Sequence, residues 1–156
     1  EGKPDAALAL LEKLSSPSAR VLTMRDKIKA GTTTDVAELK KRIEANARDA
    51  AALGRLCSLG QKGDAANTLE YCRRASELEP DNIRHAIGFG VALLQAKQFA
   101  AAAELFDKLS TAEPDNTTVR GNLAAALFQL KRFEEAKQQY IRLTEELPQN
   151  ALPFYL

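Results

Sequence analysis

Apolar residues recur at intervals of three and four along most of the chain, the period of an amphipathic helix. Val36, Leu39, Ile43 and Ala47 keep this spacing behind Asp35. Glu38 stands three residues after Asp35, a capping-box arrangement, so a helix is expected from there to about Asn46. Upstream, Pro4–Leu14 reads as one helix. Ser16-Pro17 opens a second, with serine as N-cap and proline at the first helical position, and Gly31 is expected to end it. Beyond residue 48 the helical stretches pair up, with turns expected near Gly63, Lys97 and Lys131. β-Branched residues rarely occur in runs, so no strand is expected.

A longer period lies over the helical one. Glu79-Pro80-Asp81-Asn82 recurs as Glu113-Pro114-Asp115-Asn116, and more loosely as Leu147-Pro148-Gln149-Asn150, with the prolines 34 residues apart each time. Between those prolines, 83–116 carries Phe89-Gly90, Leu93, Ala102, Phe106 and Pro114. The stretch 117–150 carries Leu123-Ala124, Leu127, Ala136, Tyr140 and Pro148. Period and residue types together resemble the tetratricopeptide repeat (TPR) family. The resemblance implies an all-α fold, a right-handed superhelical TPR solenoid of antiparallel helix pairs. Small residues such as Gly90 and Ala102 let paired helices approach, Phe106 and Tyr140 fill the space beside them, and each proline stops a second helix. A single pair is too small to bury its own apolar face, so pairs stack.

The expected organisation is a degenerate TPR-like segment over 1–48, a divergent repeat over 49–82, repeats over 83–116 and 117–150, and the start of a further repeat over 151–156. In the divergent repeat Thr68 stands where alanine is expected and Cys72 where the aromatic is expected. Ala47 stands for the closing proline, at a spacing of 33, which leaves the first helix around Leu53-Gly54-Arg55-Leu56-Cys57 ambiguous by one residue. The N-terminal helices bear a weaker resemblance to TPR segments appended to bacterial thioredoxin-like chaperone proteins, although no thioredoxin motif is present. The chain starts at Glu1 rather than Met, and Ala151–Leu156 reads as a first helical turn, so the natural protein is expected to continue.

Composition narrows the chemistry. The 156 residues are 45% hydrophobic and 28% charged, with a net charge of +1. A charge that small gives no case for nucleic acid, which needs a concentrated basic face. The runs Lys40-Lys41-Arg42, Arg73-Arg74 and Lys131-Arg132 lie near acidic residues and read as solvated faces. No apolar run approaches the roughly 20 residues that span a bilayer. His85 is the one histidine and has no ligand cluster around it, so it reads as a surface or packing residue and no metal is expected. Gly88-Phe89-Gly90 lies within a helical stretch with no strand before it, which excludes a dinucleotide loop. Glu134-Glu135 and Glu145-Glu146 are adjacent on helices and diverge. No nucleophile elbow or HExxH occurs. No catalytic residue, cofactor or enzymatic activity is expected. In TPR hairpins the facing positions are offset by about one turn from Cys57 and Cys72, which implies two free thiols. A disulfide would instead imply an oxidising compartment.

The family's geometry places ligands on a concave face formed by the first helix of each pair. Carried onto this sequence, that face presents Arg84, Ile87, Val91, Leu94 and Gln95, then Asn122, Ala125, Phe128 and Gln129, then Tyr155. A carboxylate clamp of Lys, Asn and Arg is not expected. Its positions here hold Ile87, Val91, Asn122, Leu152 and Leu156, and only the asparagine agrees. The face is apolar with a polar rim, which suits a partner protein or peptide, for example an amphipathic helix. A downstream helix of the same protein would also fit. The resemblance implies a protein–protein interaction scaffold without nucleic-acid binding or membrane insertion. Its alternatives are a regulatory or substrate-recruiting arm of a larger enzyme and a module that self-associates through exposed repeat ends.

Overall fold

The computed structural model describes residues 4–13, 18–60 and 64–146. The regular elements among them are all α-helices. They fall into two units, Glu1–His85 and Ala86–Leu156. The first holds α1 (Pro4–Glu12), α2 (Ala19–Thr32), α3 (Val36–Ala45), α4 (Ala50–Leu59), α5 (Ala65–Leu78) and the start of α6 (Ile83–Gln95). The second holds the rest of α6, then α7 (Phe99–Ala112), α8 (Thr117–Gln129) and α9 (Phe133–Glu146). Ser16-Pro17, Gly63, Pro148 and Ala151–Leu156 lie outside the described residues.

Helix starts follow local chemistry. The Asp35 carboxylate accepts from the amides of Ala37 and Glu38 at 2.9 and 3.2 Å, as the capping pattern predicts. Asp49 caps α4 by accepting from Ala52 N at 3.0 Å, and Asn116 caps α8 by accepting from Val119 N at 3.2 Å. Gly31 does not end α2, which continues to Thr32 and closes with the Thr33 amide donating to the Lys29 carbonyl at 2.9 Å. The glycine is unnecessary as a stop because Thr33 leaves the helix in an extended conformation.

The turns at Lys97 and Lys131 have one design. Lys97 N donates to Leu94 O and Gln98 N to Leu93 O; Lys131 N donates to Phe128 O and Arg132 N to Leu127 O. These paired bonds are the Schellman motif, whose C′ residue must be left-handed. The two lysines hold φ of 59° and 61°. This closes each first helix and reverses the chain into the second.

In the first unit, Leu39, Ala52 and Leu56 form a buried cluster with Val36, Ile43, Leu59 and Tyr71 against it. The helix-period residues of α3 therefore meet those of α4. Arg42 joins the same pair of helices through Asp49 at 2.8 Å, and Arg55 Nε donates to the Thr33 carbonyl at 2.8 Å. His85 packs between α4 and α5. Its Nδ1 lies 3.2 Å from the Ala75 carbonyl, and a Cβ added at Gly54 would meet its Nε2 at 2.4 Å.

The two cysteines depart from expectation: Cys57 and Cys72 form a disulfide, with Cα atoms 4.8 Å apart. The physical reason is a one-residue slip in register. Cys57 follows the cap of α4 by eight residues, as Gly90 follows Asn82 and Ala124 follows Asn116. Gly90 faces Phe106 across the α6–α7 pair. Cys72 occupies the position of Phe106, so the 33-residue spacing is the right one and the cysteines face each other.

In the second unit, Phe106, Ala102, Val119, Ala124 and Ala126 are completely buried. Ala136 is 2% exposed, whereas Lys137 beside it is exposed. Ala136→Leu is expected to cost about 1–3 kcal/mol by overpacking, and Lys137→Leu close to nothing. Equal shifts in thermal unfolding for the two variants would mean that the hairpin register is misassigned.

Candidate functional site

The expected groove residues can be placed one by one. Ile87, Val91 and Leu94 are half-buried on α6, and Gln95 is exposed at its end. Arg84 is exposed and borders a depression over the α5–α6 turn, shared with Leu78, Pro80 and Asn82. Asn122 and Ala125 are half-buried on α8, and Asn122 Nδ2 donates to the Thr118 carbonyl at 2.8 Å within its own helix. Phe128 is 53% exposed, and Gln129 beside it is exposed. Tyr155 lies outside the described residues.

Of that row, Phe128 lines an apolar concavity on the second unit. Its ring meets Phe133 edge-on, with centroids 5.4 Å apart and an interplanar angle of 64°. Phe128 thus also serves its own hairpin, bridging the α8–α9 turn. Tyr140, Ile141, Ala136 and Thr144 complete an open hollow of about 460 Å³, with Glu134 and Lys137 at its edge. Phe133 is 54% exposed and Ile141 47%. Large apolar side chains this exposed and this contiguous mark an interaction surface more often than scattered ones do.

Phe133 and Ile141 were not among the expected residues. Their signal was present: Phe133, Ala136, Tyr140 and Ile141 follow helical spacing on one face of α9. That spacing alone cannot separate a face covered by a neighbouring helix from an open one. The same positions on α7 hold Phe99, Ala102, Phe106 and Asp107, and there Ala102 and Phe106 are sealed.

The electrostatics nearby are those of surface pairs. Arg132 holds Glu135 at 2.6 Å, and the guanidinium hydrogen bond draws the Glu135 carboxyl below its ordinary range. Such a depressed carboxylate contributes stability at neutral pH that is lost as pH falls through the lowered value. Among the described residues no cluster of His, Cys, Asp or Glu fits a metal ion. No helix among them is long and apolar enough to cross a membrane.

Comparison with known proteins agrees with this architecture. Residues 93–154 match the tetratricopeptide repeat family model. No curated protein matches the chain. Among solved structures, a MamA mutant superposes with a TM-score of 0.70 at 18% identity, over 92% of this chain and 88% of that one. MamA AMB-1 gives 0.65 at 24% identity, over 93% and 77%. A second MamA mutant gives 0.53 at 20% identity, over 94% and 99%. At these identities the likeness is one of fold. Repeat period and family match agree over residues 93–154, which carry the tetratricopeptide-repeat pattern, and the chain shares an all-helical fold with these structures.

Proposed function

We propose that the chain is a protein–protein interaction scaffold that performs no chemistry of its own and binds an apolar segment of a partner on its second unit. The observation that carries this reading is the exposure of Phe128, Phe133 and Ile141 around one apolar hollow. The first-helix row of Ile87, Val91 and Leu94 supplies further apolar surface, and Gln95 and Gln129 supply polar rim. An amphipathic helix matches such a surface, because its anchors recur at i, i+3, i+4 and i+7.

Selection of a displayed peptide library on the chain tests this. Enriched peptides are expected to carry apolar anchors at helical spacing and to lose affinity for a Leu94→Asp, Phe128→Asp variant. Each large apolar side chain removed from a buried contact is worth roughly 1.5–3 kcal/mol, about tenfold or more in affinity. Circular dichroism of the variant must match the wild type. Peptides that bind the double variant equally well would exclude this surface.

A second reading, self-association, is favoured by exposed apolar residues on the first unit: Leu10 is 68% and Met24 58% exposed. If that reading is right, the wild type sediments as an oligomer and selects no peptide.

A further inference from the structure

The disulfide occupies a position that the other hairpins fill differently. In the α6–α7 pair Gly90 admits the ring of Phe106, which is fully buried. In the α8–α9 pair the same two register positions hold Ala124 and Tyr140; in the α4–α5 pair they hold Cys57 and Cys72. A small residue facing an aromatic is thus replaced by two small residues joined by a covalent bond. Cys72 is 1% exposed and Thr68, one turn before it, is 5% exposed, so at these two buried positions α5 presents small side chains where α7 presents Ala102 and Phe106. The α4–α5 pair packs through Tyr71 against Ala52 and Leu56, and at the register position of Phe106 it has the disulfide in place of an aromatic ring.

We propose that Cys57–Cys72 is a redox-controlled clamp: oxidised, it stands in for the aromatic wedge and orders the α4–α5 hairpin, and a dithiol reductant releases that hairpin selectively. Cys57 is half-buried and Cys72 is not accessible, so the reductant's thiolate attacks Sγ of Cys57. The Cys57–Cys72 bond breaks, and Cys72 departs as a thiolate that takes a proton from water. The reductant's second thiolate attacks its own sulfur in the mixed disulfide and releases Cys57, which is protonated in turn. Two electrons reduce the protein disulfide, and the dithiol is oxidised to a disulfide. Release of the clamp frees α4 to move from α5. His85 reports this directly, because its ring rests on Gly54 of α4 and its Nδ1 on the Ala75 carbonyl of α5.

Hydrogen exchange of the whole chain, air-oxidised and in dithiothreitol, tests the proposal. Reduction is expected to speed exchange in α4 and α5 by on the order of a hundredfold, the effect of opening a loop of this length, and to leave α7, α8 and α9 unchanged. The His85 ring resonances shift in parallel. A Cys57→Ala, Cys72→Ala variant is expected to match the reduced chain in either buffer. A Cys57→Gly, Cys72→Phe variant, which restores the small–aromatic pair, is expected to match the oxidised chain and to ignore dithiothreitol. Unchanged exchange on reduction would overturn the clamp. So would a uniform rise across all helices, which would show a global loss of stability in place of a selective one. An alanine variant as protected as the oxidised chain would overturn it as well.

Discussion

Phe106→Ala is expected to be the most damaging single truncation in the second unit, at about 3–5 kcal/mol. Phe106 is fully buried, faces Gly90 on α6 and sits on a helix that also packs against α8. Removing the ring leaves a cavity that Ala102 and Ala103, one turn away on α7, are too short to fill. Tyr140→Ala is the informative contrast. It removes an aromatic from the equivalent position, but Tyr140 is half-buried and lines the open hollow. Less of its surface leaves water on folding, so its loss is expected to cost less than half as much. Urea unfolding of the two variants measures the difference. Equal costs would show that α9 is as well covered as α7.

Gly90→Ala and Gly121→Ala are expected to move stability in opposite directions, although both place alanine in a helix. Alanine in place of glycine favours a helix by about 1 kcal/mol, and at Gly121 the added Cβ meets nothing within 4 Å beyond its own stretch of helix. At Gly90 the same Cβ would lie 2.4 Å from Cζ of Phe106, with two further ring atoms inside 3.0 Å. The ring has no open side to swing into, because Phe106 is 0% exposed. Overpacking of this kind costs about 1–3 kcal/mol and outweighs the propensity gain. Gly90→Ala should therefore lower the urea midpoint and Gly121→Ala should raise it. A Gly90→Ala, Phe106→Leu double variant should recover part of the loss, because the shorter side chain vacates the space of the ring. If both glycine substitutions stabilise the chain, the close approach of α6 and α7 is not what keeps Gly90 a glycine.

Much of the helical organisation could be read from the chain, because the interactions that encode it span only a few residues. The spacing of Val36, Leu39 and Ile43 and the cap at Asp35 act within two turns of one helix. The turns at Lys97 and Lys131 recur with the 34-residue period for the same reason: each Schellman closure spans six residues of contiguous chain. The small positions Gly90 and Ala124 and the aromatic positions Phe106 and Tyr140 are visible because period and residue type coincide, whereas the contact of Gly90 with Phe106 is a fact of the tertiary structure. Two further facts depended on tertiary structure. The first is the pairing of Cys57 with Cys72, which turns on a connection one residue shorter than in the other hairpins; a single residue rotates a helical side chain by about 100°, enough to decide whether two sulfurs meet. The second is which apolar face stays open. Phe106 and Tyr140 hold one register position and carry one sequence signal, yet the first is sealed and the second borders a hollow with Phe128, Phe133 and Ile141. Local patterning determines that a face is apolar, and the packing of neighbouring helices determines whether it is covered.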